Sequence, residues 1–321
     1  MGGARQPRGT GFALRDPLPW DAFAGIARSG ELLGYAAVFL PEIAGRDALA
    51  ALAGLAGETR ELLLGTGVVP MGSRRTMVTA MGAATVHERS GGRLILGLGT
   101  GAVGPGALDR LREQVHALRS LFAGDALRVD GERERLTLDP GSRVPVWLAA
   151  LGPRAMRLAG EVADGVLLNW CPPERVAFAR ERIREGAEAN GRDPAEITVA
   201  VYVRACVAQD EGAALAALRV ASGQYAAYPA YARQLTSVGL GAEAERAAAA
   251  HRAATPEEVP ERLVRELCLL GGRREARRQL DAYREAGADL PVVYPVPVGE
   301  PAPSILGTLL ALAPSERDLP A

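Results

Sequence analysis

The chain contains no lysine: all 37 of its basic residues are arginine. That excludes a lysine Schiff base and a P-loop lysine. Cysteine and histidine are scarce, with Cys171, Cys206 and Cys268 at wide, irregular spacing and His87, His116 and His251 scattered. Neither a disulfide framework nor a metal-ligand cluster is predicted from such spacing. An excess of one charge is also missing, since the formal net charge is −1. A nucleic-acid or polyanion partner would call for a basic surplus. No apolar run reaches the ~18 residues that a membrane span requires. The first eleven residues are polar and Gly-rich and carry no apolar signal core. A soluble, reduced, cytoplasmic protein with no membrane partner is expected.

What is present is a large apolar fraction, 48% of 321 residues. That length suits two ordinary domains or one α/β barrel. Short apolar runs alternate with longer amphipathic ones. Strands are predicted at Gly11–Leu14, Ala36–Leu40, Leu62–Val69, Leu94–Gly99, Val144–Ala149, Asp164–Asn169, Ile197–Val207 and Pro291–Val296. Helical spacing fills the intervals between them. Continuous apolar runs such as Ala36–Leu40 fit strands buried on both faces, as in parallel sheet. Ala126–Leu138 carries the pair Asp130-Gly131 between alternating residues and reads as an inserted β-hairpin. Residues 222–270 are helical, Ala/Arg-rich and longer than a barrel unit requires, so they read as a helical insertion.

Eight strands alternating with helices predict one closed (β/α)8 TIM barrel over residues 1–321. An open doubly wound sheet also alternates. Against it, no G-x-G-x-x-G follows the first strand. The Gly-rich turns follow strands three, four and five instead, and in a barrel those loops converge on one face.

Three constellations bear on chemistry. Leu64-Gly65-Thr66-Gly67-Val68-Val69-Pro70 places two glycines at the end of the third strand, where backbone can approach a planar ligand closely. Leu96-Gly97-Leu98-Gly99-Thr100-Gly101 repeats the pattern with a hydroxyl added at Thr100. On spacing alone, both also read as ordinary strand-to-helix turns. Ala149-Ala150-Leu151-Gly152-Pro153-Arg154-Ala155 offers free helix N-terminal N–H groups, a natural phosphate seat, with Arg154 adding charge. A plain helix start with a solvated arginine fits it equally well.

Other residues are read structurally. Ser90-Gly91-Gly92-Arg93 falls at the bottom of the barrel as a tight turn, and Asp164 as a cap rather than a base. His116 reads as a packing or surface residue. Arg204 lies in a strand pattern and is a candidate to enter the pocket. Tyr225, Tyr228 and Tyr231, three apart, read as one helical face that packs the insertion, with lining of the pocket as the alternative.

Taken together these residues resemble the luciferase-like monooxygenase family. The resemblance is carried by Glu31–Glu42, Thr59–Pro70 and Ser90–Gly101, and above all by Val144–Val166. The last run is similar to the coenzyme F420-dependent branch that includes methylenetetrahydromethanopterin reductase. The likeness covers residues 11 to about 200 well and the final third poorly. It implies a non-prolyl cis peptide at Gly67-Val68 beneath a deazaflavin, with Gly65 and Thr66 in the same bulge. It implies a phosphate seat at Leu151, Gly152, Arg154 and Ala155, and Thr100 and Gly101 near the ring. Glu42 falls where the family has an acidic residue, here expected to orient substrate or shuttle a proton. Two family residues of the F420-dependent glucose-6-phosphate dehydrogenase are absent: Ile43 stands for its His and Ala102 for its Glu. Both losses argue against sugar-phosphate oxidation.

The resemblance therefore implies an F420-dependent oxidoreductase that transfers a hydride to or from a small-molecule substrate. An FMN-dependent monooxygenase on the same barrel and a non-catalytic flavin-binding protein stay open beside it. Since relatives are often dimers, a homodimer is an expectation.

Overall fold

The computed structural model describes residues 7–101, 104–129 and 131–314. Eight parallel strands close into a ring. They are β1 (Gly11–Ala13), β2 (Ala37–Leu40), β3 (Leu63–Thr66), β4 (Leu94–Gly99), β5 (Val146–Ala149), β6 (Gly165–Asn169), β7 (Thr198–Cys206) and β8 (Leu290–Pro295). Neighbours pair in sequence order, and β8 returns to β1 through Gly11 opposite Val292. The prediction of a closed barrel holds, and the open sheet is excluded by this closure.

Strand parity decides which residues fill the barrel. Ala37 and Phe39 of β2, Trp147 of β5, Leu167 of β6, and Ala200 and Tyr202 of β7 form one interior cluster. Large and small residues alternate around it. Phe39 packs against Trp147 at 5.8 Å and against Tyr202 at 5.9 Å between ring centroids. Room for these rings comes from glycine on adjacent strands. A Cβ at Gly165 would overlap the Trp147 ring, and one at Gly65 would overlap the Phe39 ring. The opposite strand faces pack against the surrounding helices in a second, larger cluster.

The bottom of the barrel is held by arginine forks on backbone carbonyls. Arg93 donates to the carbonyl oxygens of Ala56, Thr59 and Leu62 at 2.8–3.0 Å. Gly91 and Gly92 take positive φ angles of 66° and 87°, as a tight turn requires. Asp164 accepts from Arg119, Arg143 and the Val146 N–H, so its carboxylate serves the fold.

Glu31, at the end of helix Trp20–Leu32, accepts from the backbone N–H groups of Arg60, Glu61 and Leu62. This fastens the turn that leads into β3. Burial opposes the charge on Glu31, but those three N–H groups outweigh it and hold its carboxyl below the usual range. A lowered folded pKa means the contribution is present above the unfolded value, near ~4.3, and is lost as pH falls through the folded one. Glu31→Gln is therefore expected to lower stability at pH 7 by about 1–2 kcal/mol, the range for hydrogen bonds to a charged group reduced by partial solvent exposure. Its melting temperature should converge with that of the wild type at pH 3. An equal deficit at both pH values would show that the charge plays no part.

The hairpin pairs Leu127–Val129 with Glu132–Glu134 antiparallel, as predicted; Asp130 lies outside the described residues. Helices Pro153–Val162 and Pro173–Glu188 cross in close contact through Gly160 and Gly186. Between β7 and β8 come helices Glu211–Ala226, Pro229–Ser237, Gly241–Ala253 and Glu261–Leu267. The helical reading of 222–270 needs one correction at its end. Cys268–Leu270 is a short buried strand that extends the pairing along Arg204–Cys206 of β7.

Candidate active site

The C-terminal strand ends surround a cleft of about 880 Å³. In (β/α)8 barrels this is the face where chemistry is placed. Its floor on one side is the break between β3 and the short strand Val69–Pro70. There the Gly67–Val68 peptide is cis, as the sequence resemblance implied. A Cβ at Gly67 would overlap the hydroxyl of Tyr202, so only hydrogen fits between them. Tyr202 is 6% exposed, and its Oη finds no hydrogen-bond partner among the described residues. Burial pushes this hydroxyl well above its ordinary range, so it keeps its proton and is available to donate.

The second wall is the start of helix Pro153–Val162. Its N-cap, Gly152, makes no side-chain cap, and Pro153 occupies the first turn. The backbone N–H groups of Arg154 and Ala155 are left for a ligand. The Arg154 side chain is exposed and makes no ion pair among the described residues. Helix Ala107–Phe122 also begins at the cleft with no side-chain cap, behind Gly106 at φ 71°.

The third wall comes from β6, β7, β8 and the helical insertion. Arg204 is 4% exposed and lies over the rings of Tyr294, Trp170 and Tyr225 at 4.1, 4.6 and 5.0 Å. It donates to Asn169 Oδ1 at 2.5 Å, and Asn169 Nδ2 donates to Tyr231 Oη at 2.7 Å. Gln234 Nε2 donates to the carbonyls of Asn169 and Trp170, which fixes Trp170 at its positive φ of 50°. Burial pushes the Tyr231 hydroxyl up to about 12.

Of the residues singled out in the sequence, Gly67, Val68, Thr100, Gly101, Leu151, Gly152, Arg154, Ala155 and Glu42 line this one cleft. Gly65 and Thr66 do not. Gly65 makes space for Phe39, and the Thr66 hydroxyl exchanges hydrogen bonds of 2.8 Å with the Gly97 backbone. Their service is to barrel packing.

Glu42 reaches the cleft already paired. Both its oxygens are taken by Arg74, from Nε at 3.0 Å and from the terminal nitrogen at 2.5 Å, and Arg74 also pairs with Asp47. Held this way, the carboxylate fastens the loop after β2 at the rim of the cleft. Ile43 is 62% exposed at the rim, and Ala102 lies outside the described residues.

Sequence reasoning missed Tyr202, Asn169 and Tyr294. Strand parity carried the signal, because Ala200, Tyr202 and Arg204 share the inward face of β7 and the last two stand at its C-terminal end. It also misplaced the tyrosines. Pro229 starts a new helix, so Tyr225 and Tyr231 sit on different helices and both face the cleft, whereas Tyr228 is 50% exposed.

A closed parallel barrel with an uncapped helix start, an open backbone floor and an aromatic cationic wall at its C-terminal end is a ligand-binding (β/α)8 barrel. The chain belongs to the luciferase-like monooxygenase family, whose sequence model matches residues 4–290. It is 35% identical over 223 residues to the 5,10-methylenetetrahydromethanopterin reductase of Methanolobus tindarius, covering 65% of this chain and 67% of that protein. It is 33% identical over 189 residues to the enzyme of the same name from Archaeoglobus fulgidus, covering 54% of this chain and only 57% of the relative. Its fold resembles the solved coenzyme F420-dependent tetrahydromethanopterin reductase of Methanopyrus kandleri. The TM-score there is 0.81 at 22% identity, over 94% of this chain and 97% of the other.

Proposed function

We propose that this chain is a coenzyme F420-dependent oxidoreductase that moves a hydride between the deazaflavin and a small organic substrate. The observation that carries the reading is the pairing of the Gly67–Val68 floor with the uncapped helix start at Gly152 in one cleft. A flat ring on a phosphate-bearing tail asks for that pairing. The donor set fits the group: Arg154 and the N–H groups of Arg154 and Ala155 would hold the phosphate, and the orphaned Tyr202 hydroxyl would meet a polar ring edge.

The cofactor, when bound, supplies two-electron hydride chemistry, and the protein supplies position and electrostatics. Tyr202 keeps its proton on Oη and offers one hydrogen bond at the floor. Tyr225 and Tyr231 close the side of the cleft and exclude water. Thr100 and Gly101 bound the ring side. The reading extends to a cytoplasmic enzyme, active as a homodimer, without nucleic-acid or membrane partners. In its support, no described helix is long and apolar enough to cross a membrane.

The test is a parallel fluorescence and calorimetric titration with F420 and FMN. Micromolar or tighter binding of F420 and none of FMN is expected. FMN binding with oxygen-dependent turnover would instead make the protein a flavin monooxygenase, and binding of neither would end the cofactor assignment. Arg154→Ala is expected to weaken F420 about tenfold, as the loss of a charge-assisted contact does. An unchanged affinity would move the phosphate away from this helix.

A further inference from the structure

We infer that the wall opposite the helix start is a carboxylate-binding subsite centred on Arg204, so the substrate carries a carboxylate beside a flat carbon frame. The inference rests on the oxidoreductase reading for the word substrate, but the subsite stands on its own geometry.

An arginine that is 4% exposed as a residue has given up most of its hydration. Such a charge is tolerated only with compensation. Arg204 has little: one hydrogen bond to a neutral amide and three ring faces. Ring faces attract a cation, but less strongly than a carboxylate partner would. No carboxylate pairs with Arg204 among the described residues. The two acids that line the cleft are already claimed, Glu42 by Arg74 and Asp109 by Arg112. The counter-charge must therefore come from what the cleft binds.

The orientation of the fork is built. Asn169 fixes Arg204, Tyr231 fixes Asn169, and Gln234 fixes the backbone that carries Asn169. Tyr231 Oη accepts from Asn169, which leaves its own proton to donate into the cleft. A planar two-pronged donor with a nearby hydroxyl suits a planar carboxylate. The rings of Tyr225 and Tyr294, which line the cleft, provide flat apolar walls beside it, and Trp170 backs Arg204 from within the core.

The test is calorimetric titration of benzoate and benzamide into the cofactor-free protein, with F420 affinity measured separately by fluorescence. Benzoate is expected to bind at least about tenfold more tightly than benzamide, and Arg204→Met to erase that preference while F420 affinity stays within about twofold. Arg154→Ala is expected to leave the benzoate preference intact. Equal binding of the two probes, a preference that survives Arg204→Met, or one that follows Arg154 would each overturn the subsite. So would an equal loss of F420 affinity in Arg204→Met, which would give Arg204 to the cofactor. Should that variant fail to melt cooperatively, Arg204→Lys replaces it: at least about fivefold weaker benzoate is expected, since the two-pronged contact is lost, and an unchanged affinity overturns the inference. If wild-type protein binds benzoate selectively but no F420, the oxidoreductase reading fails and the carboxylate subsite stands.

Discussion

Gly67→Ala is expected to cost the protein at least about tenfold in F420 affinity, together with about 1–3 kcal/mol of stability. The new Cβ would overlap Tyr202 Oη, stand 2.9 Å from Tyr202 Cζ and 3.4 Å from Phe39 Cβ. The tyrosine has nowhere to go. Its ring is held edge-on between Phe39 at 5.9 Å and Tyr294 at 5.8 Å, inside the closed barrel. The floor must lift or the ring must shift, and either change spoils the surface on which a planar ligand lies. Tyr202→Phe separates the two effects. It removes the oxygen that clashes, so the double variant should regain part of the melting temperature, while affinity stays low because the donor at the floor is gone. Denaturant unfolding and F420 titration of the four proteins complete the cycle. Wild-type stability and affinity in Gly67→Ala alone would refute the tight floor.

Gly160→Ala and Gly186→Ala are each expected to destabilise by roughly 3 kcal/mol, at the upper end for overpacking. A Cβ at Gly160 would overlap the Ile183 carbonyl oxygen and lie 2.9 Å from Ala187 N; one at Gly186 would overlap the Arg157 carbonyl oxygen. Backbone cannot rotate aside as a side chain does, so the two helices must separate. Helix Pro153–Val162 is also the one whose start offers N–H groups to the cleft. Separation should therefore weaken phosphate binding as well as the fold. Because both residues occupy one crossing, the double variant should lose less than the sum. Urea unfolding measures the first effect and F420 titration the second. A stability loss with unchanged affinity would show that the helix start is anchored by β5 and not by its neighbour.

The barrel was legible because parallel strands buried on both faces leave unbroken apolar runs, and β2 and the Val199–Val203 stretch of β7 are such runs. The helix start at Gly152 was legible because Gly-Pro-Arg is a local signal. Gly65 and Thr66, which lie behind the cleft lining, show the opposite case. A glycine that admits a ligand and one that admits Phe39 look alike until parity and neighbours are known. Glu42 looked available because Arg74 is remote in the chain. Cys268–Leu270 was hidden in a helical stretch, since three apolar residues fit either state. The Asn169–Arg204–Tyr231 network joins three segments, and no local pattern announces it.

Tyr202 and Arg204 stand two positions apart on β7, about 6.7 Å along the strand. One touches the floor and the other anchors the opposite wall. They move as a unit, so no shift of this strand can retune one without disturbing the other. Freedom lies in the helices between β7 and β8, which bring Tyr225, Tyr231 and Gln234 to the wall, whereas Gly67 and the start at Gly152 belong to other segments. The architecture thus divides a conservative half from an adjustable one, and new substrates would be reached by rewriting the helices while the strand stays as it is.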